Sequence, residues 1–518
     1  MHWNLRLRNH FRWALLAGAC VCGLCPTSVA QENTAQSSAA TSAAEVETVK
    51  LTIHPKTESK PSLKIQLVPD PTEQLEGNAA VFYLKAMGFI EQDPTRDRLR
   101  EMEKIAREKA KASGNDISEF PPFVYQELSP KAYPVEEVRD YLSMLRFQVP
   151  SIREARMMRD FSMHRNLHLS DNPIGYLLPE IQNIRSLART QSVRCRLAIA
   201  ENRIDDAIEV IGQQVTMSRH IAMDDFMVSY LVGCAVFSMA IEDTLFLIQQ
   251  SDCPNLYWAF AQLPHPFLST ERSLAFERQF VYLQVPKLKE IDATPRSAEY
   301  WKEFVADFAR RTVDVDEYNQ ENNLAIVSKE LGDKRVESIQ KAIEENVPQA
   351  KAYLLGRGLL TSDAIDKYPK EQLVFLAMKD YYEVFRDDYF KWLHAPYRVA
   401  IEAMTATNLQ LKSQLEREEF GWFTGISFGL QPAIEALYAA DIRVRQRIAV
   451  VQAIEAIRMA GVENGGKLID SLDQAPVPVP NDPFTDKPFA YQVSNEVASL
   501  SSEFPVHAPV RIELRFAK

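Results

Sequence analysis

The chain has 518 residues, 46% of them hydrophobic and 25% charged, enough to bury sizeable cores in two or three domains. With 59 Lys and Arg against 70 Asp and Glu, the net charge is −11. The charges are interleaved, as in Arg96–Lys111, which excludes the clustered basic surface that nucleic-acid binding requires.

The first 30 residues read as a signal peptide. Arg6, Arg8 and Arg12 form a positive region, Trp13–Cys25 an apolar core, and Ser28-Val29-Ala30 a small-residue cleavage site. The apolar core falls short of the ~20 residues of a membrane span. The mature chain, starting at Gln31, is therefore expected without a transmembrane domain, in the periplasm or at the cell surface. Cys20, Cys22 and Cys25 raise lipid attachment, but Ala17 stands where a lipoprotein site has a large aliphatic. The other cysteines, Cys195, Cys234 and Cys253, are odd in number and widely spaced, so they read as small core residues and not as a disulfide framework.

Residues 31–45 read as a polar, disordered tether. Val49–His54 and Leu63–Val68 alternate like short extended segments. Periodicity then predicts helices over 78–90, 95–112, 135–147, 150–165, 176–201, 203–222, 225–250 and 255–262. It continues with 269–283, 298–312, 335–346, 370–394, 397–419 and 432–462. A proline-rich connector, Phe120 to Pro134, separates the first pair from the rest.

The strongest signal is a repeat-like hairpin over 176–220. Ile181, Ile184, Ala188, Cys195 and Ala198 make one apolar stripe, and Ile204, Ala207, Ile208, Ile211 and Val215 make the other. Asn202 between them suits the left-handed turn that ends a helix. Phe226–Ile241 is uncharged but flanked by Asp224-Asp225 and Glu242-Asp243, so it reads as a buried core helix, with Gly233, Cys234 and Ala235 admitting a close neighbour. Tyr381, Phe385, Tyr389 and Trp392 form one aromatic stripe, read as core-facing in preference to a carbohydrate- or cofactor-stacking surface. After Gly465-Gly466 a proline-punctuated loop leads into a strand, and Val510–Phe516 alternates like a second one. The fold class is thus mainly α: an irregular, solenoid-like helical array over 46–430 with a small α+β C-terminal part over 431–518.

Four blocks, GNAAVFYLKA at 77–86, LLPEIQNIRSLAR at 177–189, CPNLYWAFAQLPHPF at 253–267 and VPNDPFTDKPFAYQ at 479–492, resemble a group of exported helix-rich planctomycete proteins of unknown function. Leu197–Val215 is similar to a tetratricopeptide repeat, with Asn202, Ile204, Ala207 and Ile211 at its pattern positions. The 448–493 block is similar to the soluble part of type II secretion pseudopilins, with Asp486 where that pattern has Gly. The resemblance to the exported group implies no activity, because none is established for it, and the pseudopilin-like block does not imply filament assembly, since the membrane-spanning pilin helix is absent.

No nucleophile elbow, phosphate loop or dinucleotide fingerprint is present, so no catalytic or cofactor-binding residues are assigned and no cofactor is expected. The metal candidates are His164 and His168, four apart on one face if the helix extends that far, with His220, Asp224 and Asp225 as conceivable further ligands. Asn481, Asp482 and Asp486 offer oxygens for calcium, against the plainer reading of a turn. The leading expectation is an exported helical interaction or scaffold protein with an unknown protein partner. The alternatives are a metal-dependent hydrolase and an accessory to a secretion apparatus.

Overall fold

The computed structural model describes residues 48–88, 121–167, 178–311, 329–416, 431–502 and 510–517, with seven helical positions between 97 and 112. The signal segment, the tether, His168 and most of the 95–112 helix lie outside the described residues.

In chain order, β1 (Thr48–Ile53) and β2 (Leu75–Asn78) precede helices α1 (Ala79–Ala86), α2 (Pro121–Glu127), α3 (Val135–Met144) and α4 (Gln148–Met157), then β3 (Met158–Asp160). Next come α5 (Pro179–Ala200), α6 (Ile204–Ala222), α7 (Met227–Leu247), α8 (Tyr257–Ala261), α9 (Glu271–Gln284), α10 (Pro286–Lys289) and α11 (Ala298–Arg311). α12 (Lys329–Gly356), α13 (Ser362–Ile365), α14 (Lys370–Phe390), α15 (Tyr397–Glu416) and α16 (Gln431–Glu463) follow, and β4 (Ala490–Ser494), β5 (Val497–Ser502) and β6 (Val510–Phe516) close the chain. The protein is mainly α with a small α+β part.

Contacts divide the chain into two compact units. The first holds the described residues of 48–163, 178–272 and 439–517. Its centre is α5, α6 and α7. Asn202 takes φ 57° between α5 and α6, as a helix-ending turn requires. A Cβ added to Gly233 would stand 2.7 Å from the Ser218 carbonyl, so α6 and α7 approach as closely as backbones allow. α7 is long and apolar enough to cross a membrane, but 78% of its apolar window is buried inside the protein. Its Val236 shares a core with Tyr83, Phe161, Ile184, Met217 and Ile221.

A four-stranded sheet in the order β1-β6-β5-β4 belongs to the same unit. β1 runs parallel to β6, and β5 antiparallel to both β6 and β4. Asn495 and Glu496, at φ 49° and 61°, join β4 to β5 in a two-residue turn of the kind that matches strand twist. A side chain at Gly461 would run into the Phe516 ring, which brings β6 onto α16.

The second unit contains residues 164–167 and the described residues of 273–438. Its core is aromatic: Phe375 packs between Trp301, parallel at 6.4 Å, and Phe304, edge-on at 4.7 Å.

Several elements differ from expectation. α4 stops at Met157, not 165, because Met158 turns into β3 beside β2. Asn78 fixes that junction: its side chain caps α1 at Ala80 N (3.0 Å) and exchanges hydrogen bonds with the Ser162 backbone. Leu63–Val68 forms no strand, as Lys64 N turns back to the Pro61 carbonyl and Leu67 drops into the core. The connector contains α2, since prolines at its start leave no helical N–H missing. α12 extends well past 346, with Pro348 inside it.

Candidate functional site

His164 lies seven residues beyond the end of α4, at φ 47°. No helix covers His164, and His168 lies outside the described residues. His220 is buried with both ring nitrogens engaged: Nε2 faces the Met158 carbonyl at 3.0 Å and Nδ1 faces Tyr83 Oη at 2.9 Å. A nitrogen bound to a carbonyl must carry the proton, so the Tyr83 hydroxyl donates to Nδ1. Burial pushes His220 down to about 4, so its ring stays neutral. Asp224 accepts from the Ser229 hydroxyl, and Asp225 pairs with Arg272 at 2.9 Å. Among the described residues, no three His, Cys, Asp or Glu side chains gather as a metal site would.

The terminal loop is built as a turn. Asp482 is buried, and its carboxylate accepts from Phe484 N (3.1 Å), Gln446 Nε2 (3.2 Å) and the Ser502 hydroxyl. Asn481 Nδ2 donates to the Asp486 carbonyl at 3.2 Å, and Asp486 takes φ 55°. These oxygens hold backbone in place, as Asx turns do.

Two arginine-centred knots had no counterpart among the candidates. In the first, Arg196 and Asp243, both at 0% exposure, meet at 2.8 Å. Arg196 also donates to the Gln126 and Leu128 carbonyls, while Asp243 accepts from Gln214 Nε2 at 3.1 Å. Burial works against the Arg196 charge, but Asp243 and Glu242 outweigh it and hold the guanidinium ionised. In the second, Arg458 pairs with Glu455 at 2.8 Å and donates to the carbonyls of His54 (3.0 Å), Cys253 (2.9 Å) and Pro254 (3.3 Å). One guanidinium thus ties the loop after β1, the loop before α8 and α16 together.

The aromatic stripe of α14 is mostly internal: Tyr381 and Tyr389 are buried, and Tyr389 donates to Glu435 Oε1 at 2.9 Å. Beside it Glu277, Tyr382, Phe385, Arg386 and Ile434 line a dent with room for about a water or two. A sugar ring does not fit there.

The three cysteines of the described residues are buried and unpaired with one another. Burial pushes the Cys253 thiol up to about 12 and the other two higher, so none offers a thiolate nucleophile at neutral pH. No protein-family model, no curated protein and no solved structure matches this chain.

Proposed function

We propose that this is an exported helical scaffold protein that works by binding another protein in the periplasm or at the cell surface. It would belong with the exported helix-rich proteins that its sequence blocks resemble, and its α5–α6 hairpin would serve as a tetratricopeptide-like unit. The observation that carries the reading is where the reactive-looking groups go. His220, Asp243, Glu455 and Asp482 have their hydrogen bonds taken up inside the fold, so they act as structural ties.

The test has two parts. N-terminal sequencing of protein from the native host should begin at Gln31, and a chain retaining Trp13–Cys25 overturns the export reading. Immobilised mature chain should retain a defined envelope protein at physiological salt. Retention of nothing, or turnover of a substrate panel dependent on added metal, overturns the scaffold reading.

A further inference from the structure

α16 carries Arg443 and Arg447 one turn apart on the same face. Facing them, α7 places Cys234, Ser238 and Glu242 at the same four-residue spacing. The two rows meet where Arg447 Nη1 donates to Ser238 Oγ, whose own hydrogen goes to the Cys234 carbonyl at 2.8 Å. Arg443 donates Nε only to Ala439 O of its own helix, at 3.2 Å. Both arginines are half-buried.

Neither has a carboxylate within ion-pair distance among the described residues. Glu242, the acid on the facing row, is taken by Arg196 Nη2 at 3.0 Å, and Asp441 is taken by Arg445 at 2.6 Å. Arg153 and Arg272, by contrast, find acids in Glu209 and Asp225. Burial, together with repulsion from Arg443, pushes Arg447 down to about 10, which still leaves it charged at neutral pH. Two positive charges therefore stand side by side without an ion pair, Arg447 over a polar hydroxyl and only partly offset by the more distant Glu242.

The geometry points to Arg443, Arg447 and Ser238 as the docking point for an acidic, extended segment of a partner protein. Guanidinium forks match carboxylates bidentately. Four residues of helix advance ~6 Å, close to the ~6.6 Å between alternate residues of an extended strand. A segment with acidic side chains at alternate positions would thus set one carboxylate on each arginine, which a single phosphate does not do. This inference rests on the scaffold reading and names the chemistry of the partner.

The probe is a fluorescent Glu-Ser-Glu-Ser-Glu-Ser peptide against the purified mature chain, with Gln replacing Glu in the control peptide and inorganic phosphate as competitor. The Glu peptide should bind at about 50 mM salt and weaken steeply as salt rises. Arg443→Gln and Arg447→Gln should each weaken it about tenfold or more, while Arg398→Gln, an exposed arginine beside Glu402, leaves it unchanged. Arg443 bonds only its own helix, so its variant stays informative even where loss of the Ser238 contact unfolds Arg447→Gln. Equal binding of the Gln peptide, unchanged binding by folded Arg443→Gln, or loss of phosphate binding alone in the variants overturns the proposal. An envelope partner retained equally by Arg443→Gln removes the docking point and leaves the scaffold reading standing. Peptide binding with no envelope partner does the reverse.

Discussion

Arg196 Nε meets Asp243 Oδ1 at 2.8 Å with neither side chain exposed, and this pair pins α5 to α7 at the centre of the first unit. Through Gln214 it reaches α6, and through the Gln126 and Leu128 carbonyls it reaches α2 and the turn beyond. Burying two charges is costly, and what offsets the cost is their short contact together with the hydrogen bonds from Arg196 to the Gln126 and Leu128 carbonyls and from Gln214 to Asp243.

Breaking one partner should therefore hurt more than removing both. Arg196→Met strands a buried carboxylate and should cost ~3–5 kcal/mol. Arg196→Met combined with Asp243→Leu should recover most of that loss. Urea denaturation of the protein measures both, and a single variant no worse than the double would sink the argument.

The helical texture was legible because apolar residues recur at the 3.6-residue period, which each helix states locally. Asn202 and Gly465-Gly466 were legible as helix ends for the same local reason. What decided the rest acts across the chain. α4 ends where Met158 is drawn into an extended position, its carbonyl bound to a histidine 62 residues away. β1 pairs with β6 through residues some 463 apart, and no local pattern encodes such a partner. His164 and His168 matched a metal spacing, but spacing holds only on a helix, and none covers His164. That Arg447 meets Ser238 of α7 is a property of space and not of sequence.

The second prediction is acid sensitivity centred on His220. Its folded pKa is about 4, below the unfolded value near 6.5, because burial disfavours the charged ring. Above pH 6.5 both states carry it neutral, and it costs nothing. As pH falls from 6.5 toward 4, the unfolded chain takes a proton that the folded chain refuses, so stability declines. The loss at pH 5 relative to pH 7 should be about 2 kcal/mol from this group. His220→Gln should flatten that difference in urea midpoints, and an unchanged slope would refute the assignment.

The third concerns the close packing of α5, α6 and α7. Ala207 is fully buried, with the Cys195 thiol 3.7 Å from its carbonyl. Ala207→Leu should overpack this contact and cost ~1–3 kcal/mol. Gly233→Ala, whose new methyl would press on the Ser218 carbonyl, should cost a similar amount. Asp205→Leu, on the exposed side of α6, should change stability by less than ~0.5 kcal/mol. Equal melting temperatures for Ala207→Leu and Asp205→Leu would show that the interface has slack.

The last prediction separates two carboxylates four residues apart in the terminal loop. Asp486 stands at φ 55°, a left-handed conformation that costs an L-residue ~1–2 kcal/mol, partly relieved for Asp by its short polar side chain. Its amide donates to the Asp482 carbonyl at 2.8 Å, so the conformation is imposed by the turn and cannot relax without opening it. Asp486→Gly removes the clash between Cβ and backbone and should leave stability equal or raised, whereas Asp486→Ala keeps the clash and should lower it by about 1 kcal/mol. Asp482 behaves oppositely, because its side chain and not its backbone angle carries the load. Asp482→Ala removes the acceptor of the Ser502 hydroxyl and the Phe484 amide and one of two acceptors of Gln446, all buried, and should cost ~2–3 kcal/mol. Thermal melts of the three variants give the order Asp486→Gly, then Asp486→Ala, then Asp482→Ala. A glycine variant less stable than the alanine variant would show that the side chain of Asp486 has a role beyond tolerating its own backbone.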